Sequence, residues 1–253
     1  MRIRILCGII LLLMAPLAAS ACTCVIDPFV STCSKLRSFK GSALFVGTVL
    51  SIRQLPATTV DYISVQQQVK FAKLDSFFGS VGGTVTVTED VPSGGSCGFP
   101  FKQGKTYLVE ANGPHSDLHT GVCGLTSGPL NPQTAESIRF LKVVRDHPSG
   151  GIVFGTIRGY AGERNFVAER NRPLKEATVL LDVLPDRLPP MHERKEVSTD
   201  ASGWYFFADL PAGEYTIGIV RPQGFLTPKS QTFRLDVNGC SQLDFRAARE
   251  GTH

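Results

Sequence analysis

The sequence lacks the marks of a nucleic-acid-binding protein and of a phosphate-binding enzyme. Lys and Arg number 26 against 22 Asp and Glu in 253 residues. No basic run or face stands out, so we expect no nucleic-acid partner. The glycine-rich stretches GSVGG and PSGGSCG do not precede a helix with a following lysine, which excludes a phosphate loop. No Ser, His and Asp set has motif context, so we expect neither an enzyme nor a cofactor.

Long apolar runs are also missing, except for one at the start that is too short for a convincing membrane span. Arg2 and Arg4 precede this run, and Ala19-Ser20-Ala21 follows it with the small-x-small pattern that signal peptidase cuts. We therefore predict a signal peptide over residues 1–21 and a mature chain that begins at Cys22, secreted to an extracellular or periplasmic compartment. A lipid anchor on Cys22 is the less favoured alternative, because lipoprotein signals usually have a larger aliphatic residue where Ala19 stands.

Cysteine is scarce, with seven in the whole chain. Cys7 lies in the predicted signal peptide, which leaves an even number in the mature chain. An even number behind a secretion signal predicts disulfides formed in an oxidising compartment, but the residues alone do not select one set of pairs. The remaining cysteines are Cys22, Cys24, Cys33, Cys97, Cys123 and Cys240.

Short strand-like runs separated by Gly, Pro and Asn dominate the chain, and one segment is clearly helical. Asn131 is placed to cap that helix and Pro132 to begin it. PSGG at 148–151 follows the helix and predicts a flexible joint between two domains. Beyond it, closely spaced short strands predict a β-sandwich. Strands are predicted in the first half at 43–52, 62–74, 83–90 and 106–112.

The first half resembles the N-terminal, netrin-like domain of the tissue inhibitors of metalloproteinases. The likeness rests on CTCV, then Cys33, then ALFVGTVLSI, and continues through SCGFPFKQGKTYLVEANG and DLHTGVCG. The resemblance implies an all-β fold with flanking helices, built on an OB-fold-type five-stranded β-barrel over residues 22–147. It also implies disulfides from Cys22 to Cys97 and from Cys24 to Cys123.

The resemblance further implies inhibition of a zinc metalloproteinase. A catalytic zinc keeps one coordination position for water. The free α-amine and the carbonyl of Cys22 would chelate that zinc and displace the water, so Cys22 would touch only the partner's metal. An α-amine has a pKa of about 8, so the neutral form that binds metal costs little near neutral pH. The implied protease-binding ridge is Cys22, Thr23, Cys24, Val25, Ser96 and Cys97.

A departure from that family concerns the remaining cysteines. The family's third disulfide needs a cysteine just past the closing helix, and FLKVVRDHPSGG has none. Cys33 and Cys240 are then left over. Whether they pair, and so staple two domains, stays open at this point because it requires Cα atoms within about 7 Å.

The second half resembles carboxypeptidase regulatory-like and transthyretin-like β-sandwich domains, through TDASGWY and LPAGEY, and we place this Ig-like sandwich at 151–248. Gly203 and Gly213 suit turn positions with positive φ, and we expect Phe206, Leu210 and Tyr215 to point into the core. Such modules are mostly spacers or binding scaffolds, and the fold does not give a function.

An alternative function follows from the same residues. The Cys-Thr-Cys start can be only a staple for the barrel's first strand, because netrin-like domains share this barrel without inhibiting proteases. The protein would then be a periplasmic or cell-surface module of the adhesion type that binds a protein or a glycan. His115 and His119 are expected to be ordinary surface histidines, and Trp204 to pack in a core or at an edge.

Overall fold

The computed structural model describes residue 33 and residues 42–56, 65–79, 81–92, 97–160, 172–184 and 194–250. The predicted signal peptide, Cys22 to Val25 and Ser96 lie outside these residues. By contacts the chain divides into two compact units. The first contains the described residues from 42 to 134, and the second contains Cys33 and the described residues from 135 onward.

Five strands close the first unit into a barrel. Neighbours around it follow the order β1-β2-β3-β5-β4, and β1 pairs with β4 to complete the circle. All these pairs are antiparallel except β3 with β5. The strands are β1 (Ser42–Gln54), β2 (Gln66–Phe78), β3 (Thr84–Asp90), β4 (Thr106–Asn112) and β5 (Leu118–His119).

Strand β1 closes the barrel because it is long and bent. Its register against β2 shifts at three places, and such bulges increase local twist and curvature. Gly47 lies beside one of these shifts. A Cβ on Gly47 would lie 3.0 Å from Phe71 Cβ and 3.1 Å from Phe45 Cε2, so this position has little room for a side chain.

An aromatic cluster fills the barrel. Phe71 lies edge-on to Phe45 and to Phe101, with ring centroids 5.7 and 5.2 Å apart. Tyr107 lies edge-on to Phe101 at 4.9 Å, and its hydroxyl accepts the N–H of Lys102 at 2.9 Å. Edge-to-face pairs contribute about 0.5–1.5 kcal/mol each beyond the burial of their area. The core is therefore a small set of rings packed across facing strands.

Two sheets form the second unit. The central strand β6 pairs antiparallel with β10 and β7 and parallel with β13 and β14. The other sheet has the order β12-β11-β8-β9. The strands are β6 (Gly151–Tyr160), β7 (Arg172–Pro173), β8 (Thr178–Leu184), β9 (Arg194–Ser198), β10 (Trp204–Leu210), β11 (Gly213–Ile219), β12 (Gln231–Leu235), β13 (Cys240–Gln242) and β14 (Phe245–Ala248).

Strand β10 shows how side chains are sorted between the two faces of its sheet. Tyr205 and Phe207 are buried in the core between the sheets, together with Leu210 and Tyr215 as predicted. Phe206 is half-buried and outside that core, so its predicted position was wrong. Side chains alternate along a strand, so Phe206 and Tyr205 face opposite ways.

Helix α1 (Pro132–Asp146) covers the outer face of the five-stranded sheet. Asn131 caps it, because its Oδ1 accepts the N–H of Thr134 at 2.9 Å, as predicted. The rings of Phe140 and of Phe154 on β6 have centroids 4.4 Å apart. By contacts α1 belongs to the second unit from residue 135 onward, whereas the sequence placed the domain joint after the helix.

The chain is predominantly β, so the all-β prediction is confirmed at that level, and the second unit is a β-sandwich. Gly203 has a φ of 74°, as predicted for its turn. Gly213 was predicted wrongly, because it begins β11 and has no positive φ. No helix within the described residues is long and apolar enough to cross a membrane.

Cys33 and Cys240 form a disulfide with Cα atoms 5.7 Å apart, which resolves the pairing that the sequence left open. Both cysteines belong to the second unit, so the bond ties a distant segment to β13 within that unit. They are 207 residues apart in sequence, and both are buried.

We predict that replacing both cysteines, Cys33→Ala with Cys240→Ala, lowers the free energy of unfolding by about 2–4 kcal/mol, because the cross-link restricts the unfolded chain. Guanidinium denaturation under non-reducing conditions measures the loss. Val237→Ala is the control, since Val237 is 75% exposed and should change stability by less than about 0.5 kcal/mol. Equal stability of the double variant and the parent would contradict a structural role for this disulfide.

Candidate functional site

The histidines of the HSDLH segment do not form a metal centre with other described residues. His119 Nε2 lies 3.0 Å from Asp117 Oδ1, and both side chains are about half or more exposed. His115 is exposed. Over the described part of the chain, no group of three or more His, Cys, Asp or Glu is placed to hold a metal ion.

The structure brings together the two cysteine segments at one end of the barrel. The carbonyl of Cys97 accepts the N–H of Val122 at 2.9 Å, directly beside Cys123. Cys97 and Cys123 are each disulfide-bonded. The predicted partners Cys22 and Cys24, and the ridge residues Thr23, Val25 and Ser96, lie outside the described residues. That pairing therefore stays a prediction.

A buried carboxyl on β3 holds the Cys97 segment. Glu89 is 2% exposed, and its Oε2 accepts the N–H of Phe99 at 2.7 Å. Its Oε1 accepts a hydrogen bond from Gln67 Nε2 at 2.8 Å. Burial raises the pKa of Glu89 to about 7, with a smaller contribution from the charge of Asp90, although both hydrogen bonds oppose the shift.

A second carboxyl holds the Cys123 segment in a comparable way. Glu110 Oε2 on β4 accepts the N–H of Leu125 at 2.6 Å. Gly124 has a φ of 117°, and a Cβ there would lie 2.6 Å from Glu110 Oε2. The glycine is therefore needed for both its backbone conformation and its space.

A groove of about 760 Å³ lies in the second unit, between β9 and β10. Each is the outermost strand of its sheet. Trp204 and Phe206, on the outer face of β10, have ring centroids 5.2 Å apart. The lining residues are His147, Lys195, Glu196, Val197, Ser198, Asp200, Trp204, Tyr205, Phe206, Phe207, Ala208 and Asp209.

An arginine from α1 covers one end of the groove. Arg139 Nη1 donates to Asp200 Oδ2 at 2.7 Å and to Ser202 Oγ at 2.6 Å, and its guanidinium lies 5.3 Å from the ring centroid of Trp204. Burial opposes ionisation of Asp200, but donors outweigh it and lower the pKa of Asp200. They are the Ser202 hydroxyl, two backbone N–H groups and Arg139. Asp200 is thus an ionised, fully engaged carboxylate.

A second acid–base pair lies at the other end of the groove. His147 Nδ1 is 2.8 Å from Asp209 Oδ2, and the imidazole is 6.1 Å from the Phe206 ring. Asp209 has a φ of 55° and lies where the register of β10 shifts between Phe207 and Leu210. Few residues other than glycine adopt this conformation, and Asp is among those enriched there. The bulge therefore turns the Asp209 side chain toward His147.

Trp204 is the one tryptophan of the chain. It is 6% exposed, and its Nε1 is buried without a hydrogen-bond partner among the described residues. The prediction of core or edge packing for Trp204 agrees with this burial. Its position at the groove also makes tryptophan fluorescence a direct reporter of any ligand there.

Sequence reasoning missed this groove. His147 and its partner Asp209 are 62 residues apart in the chain, so no local motif joins them. Asp200 carried a usable signal, because an Asp followed two residues later by Ser-Gly is typical of a turn whose carboxylate accepts nearby backbone N–H groups. The Arg139 contact depends on the packing of α1 and has no local sequence signal.

Comparisons with known proteins return no matching family model and no matching curated protein. Among solved structures, the major pilin SpaD of Corynebacterium diphtheriae is 17% identical, with 40% of this chain and 32% of that chain covered and a TM-score of 0.32. The minor pilin GBS52 of Streptococcus agalactiae is 13% identical over 84% of this chain and 85% of that chain, with a TM-score of 0.31. The pilus adhesin RrgA of Streptococcus pneumoniae is 12% identical over 80% and 29%, with a TM-score of 0.26.

The assignment to the tissue inhibitors of metalloproteinases was therefore wrong. Neither the family models nor the curated proteins return that family, and the solved structures above are pilins and a pilus adhesin. The inhibition of a zinc metalloproteinase through Cys22, which depended on the family, falls with it. The physical reason is that a Cys-x-Cys start and ordered strands describe any barrel with a stapled first strand. They do not specify a ridge that fits a protease.

We predict that Glu89→Gln stabilises the protein above pH 7 by about 1–2 kcal/mol. The folded state binds the Glu89 proton more tightly than the unfolded state, so Glu89 lowers stability as pH rises from about 4.5 to about 7. Glutamine keeps an acceptor for Phe99 and cannot ionise, so that slope should shrink. Urea titrations between pH 4 and pH 9 measure it, with Asp117→Asn as an exposed control. An unchanged slope would contradict a buried, titrating Glu89.

Proposed function

We propose that this protein is a non-catalytic binding module of the adhesion type, located outside the cytoplasm, which recognises a protein or a glycan. The observation that carries the proposal is the open groove between β9 and β10, with the Trp204 and Phe206 rings beside charged side chains. Ligand sites typically combine apolar and aromatic walls with a few placed polar groups. The groove provides both.

The disulfide chemistry supports an oxidising location, extracellular or periplasmic. Cys33 and Cys240 are bonded to each other, and Cys97 and Cys123 are each bonded. Disulfides persist outside the cytoplasm and are rare within it. The signal peptide proposed for residues 1–21 would deliver the chain there.

The state of the groove carboxylates supports binding over catalysis. A glycosidase needs one carboxyl group that keeps its proton near neutral pH to act as the acid. The pKa of Asp200 is instead lowered, and its oxygens are occupied by Arg139, Ser202 and Trp204. Asp209 is engaged by His147. These acids suit a fixed polar rim.

The barrel supports a finer assignment. Its strand order β1-β2-β3-β5-β4, closed by the pairing of β1 with β4, is compatible with an OB-fold-type barrel at 22–147, followed by the regulatory-like sandwich at 151–248. The outward side chains of β2 beside β3 are polar or small, with Lys70 opposite Thr86 and Ala72 opposite Thr84.

The start of the mature chain fits the barrel end as a staple. We propose bonds from Cys22 to Cys97 and from Cys24 to Cys123. The support is that Cys97 and Val122 are joined by a 2.9 Å backbone hydrogen bond, which brings the two bonded cysteines onto adjacent segments. Two disulfide-bonded cysteines on adjacent segments suit a partner segment whose own cysteines are one residue apart.

Peptide mapping of the secreted protein under non-reducing conditions should recover these two bonds together with Cys33–Cys240. Intact mass should place the mature start at Cys22 without a lipid. The Cys33–Cys240 peptide is the internal control, since that pair is present in the structure. A lipid-modified Cys22, or Cys22 bonded to Cys123, would contradict the staple.

The binding role is tested with the full-length oxidised protein on a glycan array and on a panel of purified extracellular proteins. At least one ligand should bind, and Phe206→Ala should weaken its binding at least tenfold because it removes a ring from the groove wall. Leu74→Ala is the matched control, since Leu74 is 63% exposed on the barrel. Binding that ignores Phe206→Ala, or turnover of any bound substrate, would contradict the proposal.

A further inference from the structure

The backbone of β10 is partly unpaired along the groove. The N–H of Trp204 donates to Asp200 Oδ1 at 3.1 Å, and its carbonyl accepts the Asp200 N–H at 3.0 Å, so both groups point away from β6. The opposite residues on β6 agree. Thr156 donates its N–H to Asp244 at 2.7 Å, and the carbonyl of Phe154 accepts from Leu243 at 2.8 Å, both away from β10.

Alternation along an antiparallel pair extends this result to Phe206. Trp204 lies opposite Thr156 and Phe206 lies opposite Phe154, two residues further along each strand. In such a ladder, bonded and non-bonded pairs alternate, so these two pairs are both of the non-bonded kind. The N–H and the carbonyl of Phe206 therefore face the groove. They have no hydrogen-bond partner among the described residues.

Strand β9, on the opposite wall, also has backbone groups that face the groove, but its charged side chains protect it from pairing. Thr199 donates its N–H to the carbonyl of Ala177 at 3.0 Å and accepts the N–H of Glu176 at 2.9 Å, so alternation turns Glu196 and Ser198 outward. However, β9 begins Arg194-Lys195-Glu196. Charged side chains on an edge strand discourage another strand from pairing with it.

Strand β10 lacks this protection over its first residues. From Trp204 to Ala208 it carries no charge, and the bulge at Asp209 then ends the regular edge. Asp200 already uses the outward groups of Trp204, so the available edge runs from Tyr205 to Ala208, and four residues in a strand span about 13 Å. The available edge therefore suits a short added strand and blocks a long one, which limits edge-to-edge aggregation.

We infer that the groove takes an extended peptide segment of a partner protein, which pairs with β10 through the backbone of Phe206. This inference rests on the proposed binding function and specifies its ligand class. Main-chain hydrogen bonds would give affinity, and alternate side chains would pack against the Trp204 and Phe206 face and toward Val197.

Charge indicates one further feature of the peptide. The groove residues include three carboxylates, on Glu196, Asp200 and Asp209, against Lys195 and against Arg139, which pairs with Asp200 at one end of the groove. A Lys or Arg in the peptide would complement this excess, and an acidic residue would be repelled.

A glycan fits the same groove less well. Sugar rings bind by stacking on an open aromatic face, but Trp204 is 6% exposed and Arg139 lies over its ring. The backbone groups of Phe206 have the spacing of a strand, which a saccharide does not match. Glycan binding is therefore an outcome of the test that would overturn the peptide assignment.

The test uses a displayed library of random eight-residue peptides, selected on the full-length oxidised protein. Selected peptides should be apolar at alternate positions, contain Lys or Arg, and contain few acidic residues. A synthetic selected peptide is then titrated while Trp204 fluorescence is followed. N-methylation at each peptide position in turn should weaken binding at least tenfold at the position whose N–H meets the Phe206 carbonyl and change it little at the two neighbouring positions, because every second N–H of an added strand faces β10 and Asp200 already uses the outward groups of Trp204.

Two variants at one position separate the backbone from the side chain. Phe206→Ala removes the ring and keeps the N–H, whereas Phe206→Pro also removes the N–H, which β6 does not use. The proline variant should bind at least tenfold more weakly than the alanine variant. Glu196→Pro, which removes an outward N–H of β9, is compared with Glu196→Ala, which removes the same charge and keeps the N–H, and these two variants should agree within about twofold. Thermal melts confirm that each variant is folded, and the N-methyl scan stands independently if one is not.

The outcomes separate the two proposals. No selected peptide, an N-methyl scan without alternation, or loss of binding in Glu196→Pro instead of Phe206→Pro overturns the pairing with β10. Glycans that bind with sensitivity to Phe206→Ala, in the absence of any peptide, overturn the peptide and leave the binding function standing. Ligands that bind without any sensitivity to Phe206→Ala overturn the groove itself.

Discussion

The pairing of β6 with β10 fixes the groove and much of the second unit. Once Phe206 lies opposite Phe154, the pleat sends Tyr205 and Phe207 into the core and leaves Trp204 and Phe206 on the outer face. The same register decides which backbone groups are used by the sheet. A shift by one residue would bury Phe206 and expose Tyr205, and would turn the Phe206 N–H into the ladder.

Helix α1 places a charged side chain, Arg139, on that outer face. Asn131 starts the helix, and Phe140 then packs on Phe154 of β6. If the helix were shifted by one turn, Arg139 would no longer contact Trp204 and Asp200. In the barrel, carboxyl groups hold neighbouring segments in place. Glu89 anchors the Cys97 segment through a backbone N–H, so the position of a disulfide-bonded cysteine depends on a buried acid.

The sequence predicted the parts of this structure that local chemistry controls. Alternating apolar residues identified strands, and Asn131 with Pro132 identified the start of α1. The prediction for Phe206 was wrong because a strand of consecutive aromatic residues, such as WYFF, shows no alternation of apolar and polar residues. The pairing of Cys33 with Cys240 was left open because it spans 207 residues. The contact between His147 and Asp209 could not be predicted for the same reason, since the packing of distant elements leaves no local signal in the sequence.

A binding role agrees with which groups at the groove lack a hydrogen-bond partner within the sheet. Two of the three groove carboxylates are already paired within the protein, Asp200 with Arg139 and Asp209 with His147. A ligand gains little by competing for them, because breaking such a pair leaves a charge without its partner. The backbone of Phe206 is different, since an added strand can bond to its N–H and carbonyl without breaking a hydrogen bond of the sheet. The recognition chemistry of the groove therefore lies in its main chain and its rings more than in its charges.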